Sequence, residues 1–386
     1  MYRIALKMLV EDKAKYIGMI LSLSFSAVIL TQQAAIFIGL MKRTYGNITD
    51  TPQADIWVMD PNVKYIDDIT PLRDTDLFRV RSVPGVEWAV PFFKGTIRAR
   101  QPETGKFQTC VYIGVDSATF IGAPHTMLEG RVEDLRQPDA IIVNVVGAQD
   151  KLAYDQGPGE PKIPLQVGDV IELNYRRAKV VGICDVIRSF QSNPVIYTTY
   201  TQAIANTPFE ERLLSFILVK SDGRMSAHGL CEKITRETGF SAYTKEEFKS
   251  KTIDYYMRYT GIPINFGIAV LLGLLVGAAI AGQIFYNFTT DNLKYSALFS
   301  IMGASRGLLA RMTLLQATWL GIIGWGIGSG ASALLGYLAR NSELSYNLPW
   351  WLFLGIGLTM MLICYGASLI SIRRIFNIEL ATIFKQ

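Results

Sequence analysis

Residues 262–288 read IPINFGIAVLLGLLVGAAIAGQIFYNF, and this stretch decides the fold. It contains no Lys, Arg, Asp or Glu. A helix rises 1.5 Å per residue, so ~20 mainly apolar residues cross the ~30 Å hydrocarbon layer of a bilayer. A buried charge there costs ~2.5–3.5 kcal/mol even on the lenient insertion scale, so its absence over such a length marks a membrane span. Three further segments meet the same standard: Tyr16 to Leu40, about Met312 to Leu338, and about Pro349 to Ile372. A soluble protein with four such core helices would have to be much larger than 386 residues.

Outward from these spans the composition changes. Half of all residues are hydrophobic and 18% are charged, yet residues 42–260 read as an ordinary soluble domain. The predicted fold class is therefore a membrane α-helical protein with four transmembrane helices. A large extracytoplasmic α+β domain of two lobes is inserted between the first and second. The predicted boundaries are an interfacial helix at 1–15, spans at 16–41, 261–288, 312–338 and 349–372, and the inserted domain at 42–260. A loop at 289–311 and a tail at 373–386 complete the chain. Residues 16–40 exceed the apolar core of a signal peptide and lack an obvious cleavage site, so they read as an uncleaved span.

Positive residues mark the cytoplasmic side. Arg3, Lys7, Lys13 and Lys15 precede the first span. Lys294, Arg306 and Arg311 lie between the second and third, and Arg373, Arg374 and Lys385 follow the fourth. Both termini and the 289–311 loop are expected in the cytoplasm, with 42–260 on the opposite side of the membrane. The net charge of +5 is mostly this bias, so nucleic acid is not an expected partner. In the first 15 residues Ile4, Met8 and Leu9 can share one helical face, as on a helix lying in the lipid interface. The same pattern also fits the cytoplasmic end of the first span.

Within 42–260 the order is mixed. Strand-like runs occur at 54–59, 87–100, 109–115, 140–146, 165–175, 178–187, 195–199 and 214–220, with helices at 74–83, 225–238 and 245–259. The last helix runs toward Ile262, so the first two spans are expected to extend outward as a helical stalk. The Gly/Pro cluster at 156–164 reads as a surface loop, because its prolines lack the N–H donors of a phosphate cradle.

Catalytic patterns are missing. The two histidines, His125 and His228, stand far apart, and no HExxH, GxSxG or Walker A motif occurs. No metal and no cofactor is expected on this chain. Of four cysteines, Cys364 lies in a span, and Cys110, Cys184 and Cys231 allow at most one disulfide. Inside the first span Gln32 and Gln33 need partners, either a packed helix or a substrate-facing wall. Glycines crowd the second span (267, 273, 277, 282) and the third (321, 324, 326, 328, 330), which favours close helix approach.

The 289–311 loop is more than a polar connector. Leu293, Ala297, Leu298 and Ile301 form an apolar stripe, Gly303 and Ala304 interrupt it, and Ser305 can cap a following helix before Arg306. The run Leu298-Phe299-Ser300-Ile301-Met302-Gly303-Ala304-Ser305-Arg306 resembles the segment after the second span in the FtsX/MacB superfamily of ABC-transporter permeases. The SVPGV turn at 82–86, the VGDVIEL run at 167–173 and the tail RRIFNIELATIF resemble the same family. The family's frequent acidic start is here Lys294-Tyr295-Ser296-Ala297, and Leu380 stands where proline is common. The resemblance implies a non-enzymatic permease homodimer in the lipid bilayer, paired with a separate ABC ATPase subunit that binds ATP and Mg. It makes the 289–311 residues, Leu293 to Arg306, the coupling element. It also implies a MacB-like exporter of an amphipathic or lipidic substrate, with a periplasmic adaptor and an outer-membrane channel. The alternative is an FtsX-like regulator that activates a cell-wall hydrolase through its outer domain.

Overall fold

The computed structural model describes residues 2–100, 105–154, 161–208, 214–339 and 342–376. Expectations for residues 156–160 and for Leu380 and Lys385 in the tail lie outside them. The chain divides into two compact units, one of residues 1–40 with 261–386, the other 41–260.

The first unit is helical: α1 (Tyr2–Glu11), α2 (Lys13–Thr44), α8 (Ile262–Asp291), α9 (Leu293–Ile301), α10 (Arg306–Leu338) and α11 (Trp350–Phe376). Four of these, α2, α8, α10 and α11, are long and apolar enough to cross a membrane. They close on one core that includes Leu23, Leu30, Phe285, Leu320, Met360 and Cys364. Glycine placement sets the spacing. A Cβ on Gly324 would lie 2.7 Å from the Leu23 Cβ, and one on Gly328 would lie 2.5 Å from both the Ala27 Cβ and the Ser24 carbonyl. Gly273 and Gly277 face α2 in the same way, and Gly321 faces Met361. Gly267, Gly282, Gly326 and Gly330 touch no other helix, so about half of the glycine pattern serves packing.

The face of α1 differs from expectation. Ala5 and Leu9 are buried, Met8 is half-buried, and Ile4 is exposed. Ala5 packs with Leu309 and Met312, and the buried Gln316 amide donates to the Ala5 carbonyl at 2.7 Å. This single bond satisfies a polar group that α10 would otherwise bury unpaired.

The second unit contains a ten-stranded mixed sheet. Its strands are β1 (Ile56–Met59), β2 (Val86–Arg100), β3 (Phe107–Val115), β4 (Thr126–Gly130), β5 (Ala140–Asn144), β6 (Val170–Leu173), β7 (Arg176–Asp185), β8 (Val195–Thr199), β9 (Phe216–Ser221) and β10 (Ser241–Thr244). The order is β10-β1-β9-β2-β3-β8-β5-β7-β4, with β6 pairing β2 and β7. Pairing is antiparallel except for β3–β8 and β5–β7. The short α3 (Gly46–Thr49), with α4 (Asp74–Arg81), α5 (Tyr200–Asn206), α6 (Ala227–Thr238) and α7 (Lys245–Tyr259), completes the unit.

The 15-residue β2 joins two halves. Val86–Phe92 pairs with β9, and Phe93–Arg100 pairs with β3. Its stretch Ala89–Lys94 is buried without alternation, the sign of a strand covered on both faces. At the centre Trp57 meets Phe92, Phe216 and Phe248 at ring distances of 5.4, 5.5 and 5.7 Å.

One expectation needs correction. The helix before the second span is not continuous with it. Helix α7 ends at Tyr259, Thr260 is extended (ψ 154°), and α8 begins anew at Ile262 with Pro263 in its first turn. A proline is accepted there because the first-turn N–H groups have no intrahelical acceptor. The cysteines form no disulfide among the described residues. Cys110, Cys184 and Cys231 are buried in three separate clusters, and burial pushes the Cys110 and Cys231 thiols up to about 12.

Candidate functional site

The segment between the second and third membrane-length helices is the candidate. Helix α8 ends at Asp291 and α9 starts two residues later. Within the first unit Lys15 on α2 reaches the Asp291 carboxylate at 2.9 Å, an exposed pair that links the start of α2 to the end of α8 rather than adding much stability.

Helix α9 is nine residues long and has a built stop. Gly303 has φ +92°, the left-handed region that side chains disfavour. The Ala304 N–H donates to the Phe299 carbonyl at 2.9 Å and the Gly303 N–H to the Ser300 carbonyl at 3.1 Å. That pair of bonds is a Schellman closure, which satisfies two of the last carbonyls of α9. The next helix is capped at once: the Ser305 hydroxyl accepts from the Leu308 N–H at 3.3 Å. Gly303, Ala304 and Ser305 therefore form a fixed corner between two helices. Arg306 opens α10 and is exposed.

The apolar stripe read from the sequence splits in two. Ala297 is buried, Leu293 is half-buried, and Phe299 packs on the Ala5–Leu309–Met312 cluster. Leu298 and Ile301 point the other way, 48% and 60% exposed. Tyr295 (49%) and Met302 (63%), which sequence reasoning did not include, join them. Positions 295, 298 and 302 lie three and four residues apart, so they share one helical face. One face thus holds α9 to its own unit, and the other presents four large apolar groups at a helix less than three turns long.

The remaining site residues are placed elsewhere. Gln32 and Gln33 on α2 are half-buried and make no hydrogen bond among the described residues. Their amides are available to a group outside this chain. His125 is exposed, and His228 Nδ1 lies 2.7 Å from Glu247, a contact between α6 and α7. No group of three or more metal-ligating side chains occurs among the described residues.

Comparison with known families matches residues 17–231 to the MacB-like periplasmic core domain and residues 266–380 to the FtsX-like permease C-terminal domain. The first match covers more than half of the chain. Together with four membrane-length helices, these matches define the class: a membrane permease carrying an extracytoplasmic-type core domain. The chain belongs to the MacB/FtsX-like permease family.

Among solved structures, three similar ones are themselves pieces of such proteins. The extracellular domain of the noncanonic ABC-type transporter YknZ from Gram-positive bacteria is 13% identical, with 50% of this chain and 98% of that one covered at a TM-score of 0.34. The periplasmic region of MacB from Actinobacillus actinomycetemcomitans is 17% identical, with 55% and 97% covered at 0.37. A domain of a putative permease protein from Porphyromonas gingivalis is 12% identical, with 50% and 86% covered at 0.29. No curated protein matches the chain by sequence.

Proposed function

We propose that this chain is the permease subunit of a MacB-like ABC transporter, a homodimer driven by two copies of a separate ABC ATPase that holds ATP and Mg. One observation carries the proposal. Helix α9 is capped at its C-terminal end and anchored on one face, and it leaves Tyr295, Leu298, Ile301 and Met302 exposed on the other. A short, rigid helix with an unpartnered apolar face fits a groove on a soluble protein by the helix-in-groove mode. The positive residues flanking this segment support a cytoplasmic position for it, where an ATPase works, with 42–260 in the periplasm of a bacterial inner-membrane protein.

Force delivered at α9 would pass through the membrane helices to residues 42–260, which act on an amphipathic or lipidic substrate with a periplasmic adaptor and an outer-membrane channel. The size of residues 42–260, a domain built on a ten-stranded sheet, supports export as the reading over hydrolase activation.

The test is co-purification from the native membrane followed by reconstitution. The expected result is an ABC ATPase bound to the wild type and lost, or reduced at least tenfold, in Leu298→Asp/Ile301→Asp. Each exposed apolar anchor contributes ~1–2 kcal/mol at such an interface. A wild type that recruits no ATPase ends the proposal. Capture of a coiled-coil hydrolase activator by residues 42–260, without adaptor, replaces export by regulation.

A further inference from the structure

A cleft of about 700 Å³ opens within the second unit, a volume in the usual ~300–1,000 Å³ range of small-molecule sites. None of the family features described above uses it. One wall is aromatic. Tyr65 stacks on Tyr255 with centroids 4.2 Å apart and planes 12° apart, and Tyr256 stands edge-on to both. Phe190 closes on Tyr256 at 5.2 Å. Tyr65 and Tyr255 are half-buried and both line the cleft, and Tyr259 packs on Tyr255 at 5.4 Å.

The other wall is polar and costly to build. Lys94 lies in the stretch of β2 that is covered on both faces, and it is 4% exposed. Burying an ammonium requires partners. Its Nζ donates to the Ile66 carbonyl at 3.3 Å and forms an ion pair with the Asp67 carboxylate. An ammonium has three protons, and the third has no acceptor among the described residues. Asp67 is 44% exposed and lines the cleft, so its carboxylate is accessible there. Gln191 and Asn193, bonded to each other at 3.2 Å, add amide donors and acceptors at the rim.

We infer that this cleft is a binding site for a neutral sugar ring, either a free glycoside or the head group of a glycolipid. The Lys94–Asp67 pair offers a donor and an acceptor side by side with no net charge. A pair of adjacent hydroxyls matches that arrangement, because one hydroxyl accepts from the ammonium while its neighbour donates to the carboxylate. The C–H face of a pyranose then lies on the Tyr65–Tyr255 platform, burying apolar area that water wets poorly. A charged ligand would unbalance this neutral pair, so a neutral ligand matches it better than an ion does. The site is independent of α9: a chain that binds glycoside but recruits no ATPase keeps this inference and loses the previous one.

The test is saturation-transfer difference NMR on the full chain in nanodiscs of phosphatidylethanolamine and phosphatidylglycerol. The probes are methyl β-D-glucopyranoside, methyl β-D-glucuronide and choline. Saturation of the neutral glucoside alone is expected, with affinity reduced about tenfold in Tyr65→Ala, which removes one half of the stack. Asp67→Asn keeps the shape and uncovers the charge of Lys94, so this variant is expected to bind the glucuronide at least tenfold better than the wild type does. That reversal distinguishes a binding role from a structural one. Doping the nanodiscs with glucosyl-diacylglycerol separates the sources: loss of the glucoside signal identifies the lipid head group, and its persistence identifies a free glycoside. No binding of the neutral glucoside, stronger binding of glucuronide or choline by the wild type, or an unchanged selectivity in Asp67→Asn overturns the inference.

Discussion

At the residue scale, Gly303 is held in the left-handed region by its two closing hydrogen bonds. A β-branched residue there is strained by ~1–2 kcal/mol. Gly303→Val is expected to leave the permease in the membrane while cutting its stimulation of a partner ATPase several-fold, and unchanged stimulation in reconstituted vesicles sinks the idea. Gly303 and Ser305 were both legible in the sequence, because the run Gly-Ala-Ser before a helix is local chemistry. Asp50 was not. Its carboxylate accepts from the Ile187 N–H, 137 residues on, at 2.8 Å. Burial, opposed by that hydrogen bond and reinforced by Asp185, raises it to about 6. Its unfolded value is ~3.9, so between pH 4 and 6 the folded state holds the extra proton and stability falls as pH rises through that window. The full span amounts to about 2–3 kcal/mol. Urea unfolding at pH 4.5 and 6.5 is expected to show this loss in the wild type and not in Asp50→Asn, which keeps the acceptor oxygen and lacks the titration. Equal pH slopes in the two proteins contradict the assignment.

At the element scale, helices α8 and α10 carry glycines whose use depends on direction. Gly328 sits against the α2 backbone, so Gly328→Leu drives a side chain into the Ser24 carbonyl and Ala27. Overpacking of that kind costs ~1–3 kcal/mol. Gly330, two residues on, touches no other helix, and Gly330→Leu serves as the control. Thermal unfolding in detergent is expected to drop by several degrees for the first and by little for the second; equal shifts would refute the close-contact reading. The sequence showed many glycines but not which face each occupies, since that follows from the rotation of one helix against another. The same limit split the stripe on α9. Ala297 and Leu298 are neighbours in sequence, about 100° apart around the helix, and only packing decided that Ala297 turns inward. The break before α8 was readable in principle. Pro263 is a first-turn residue, and a proline there signals a helix start rather than a continuation.

At the scale of the whole molecule, Gln32 and Gln33 make no hydrogen bond among the described residues. In a homodimer the amides can pair across the interface, and such bonds average ~0.6 kcal/mol and reach ~1–2. Gln32→Leu/Gln33→Leu is therefore expected to weaken dimerisation in lipid vesicles about threefold to tenfold, as read by single-molecule photobleaching. A variant that dimerises as tightly as the wild type removes these amides from the interface.

The sequence by itself determined the four membrane-length helices, the inserted domain and the capped corner at Gly303–Ser305. Each rests on local chemistry: long runs without charge, alternation of apolar residues, and backbone groups that need nearby partners. The order of the ten strands, the separation of the three outer cysteines and the cleft between Lys94 and the tyrosines were decided by tertiary structure alone. The reason is distance along the chain. Lys94 meets Asp67 from 27 residues away, and Tyr65 stacks on Tyr255 from the far end of the domain, contacts that no local period encodes. A lysine in an otherwise apolar strand reads in sequence as an edge or a surface residue. Only the covering of both faces of β2 turns Lys94 into a buried charge that must be paired.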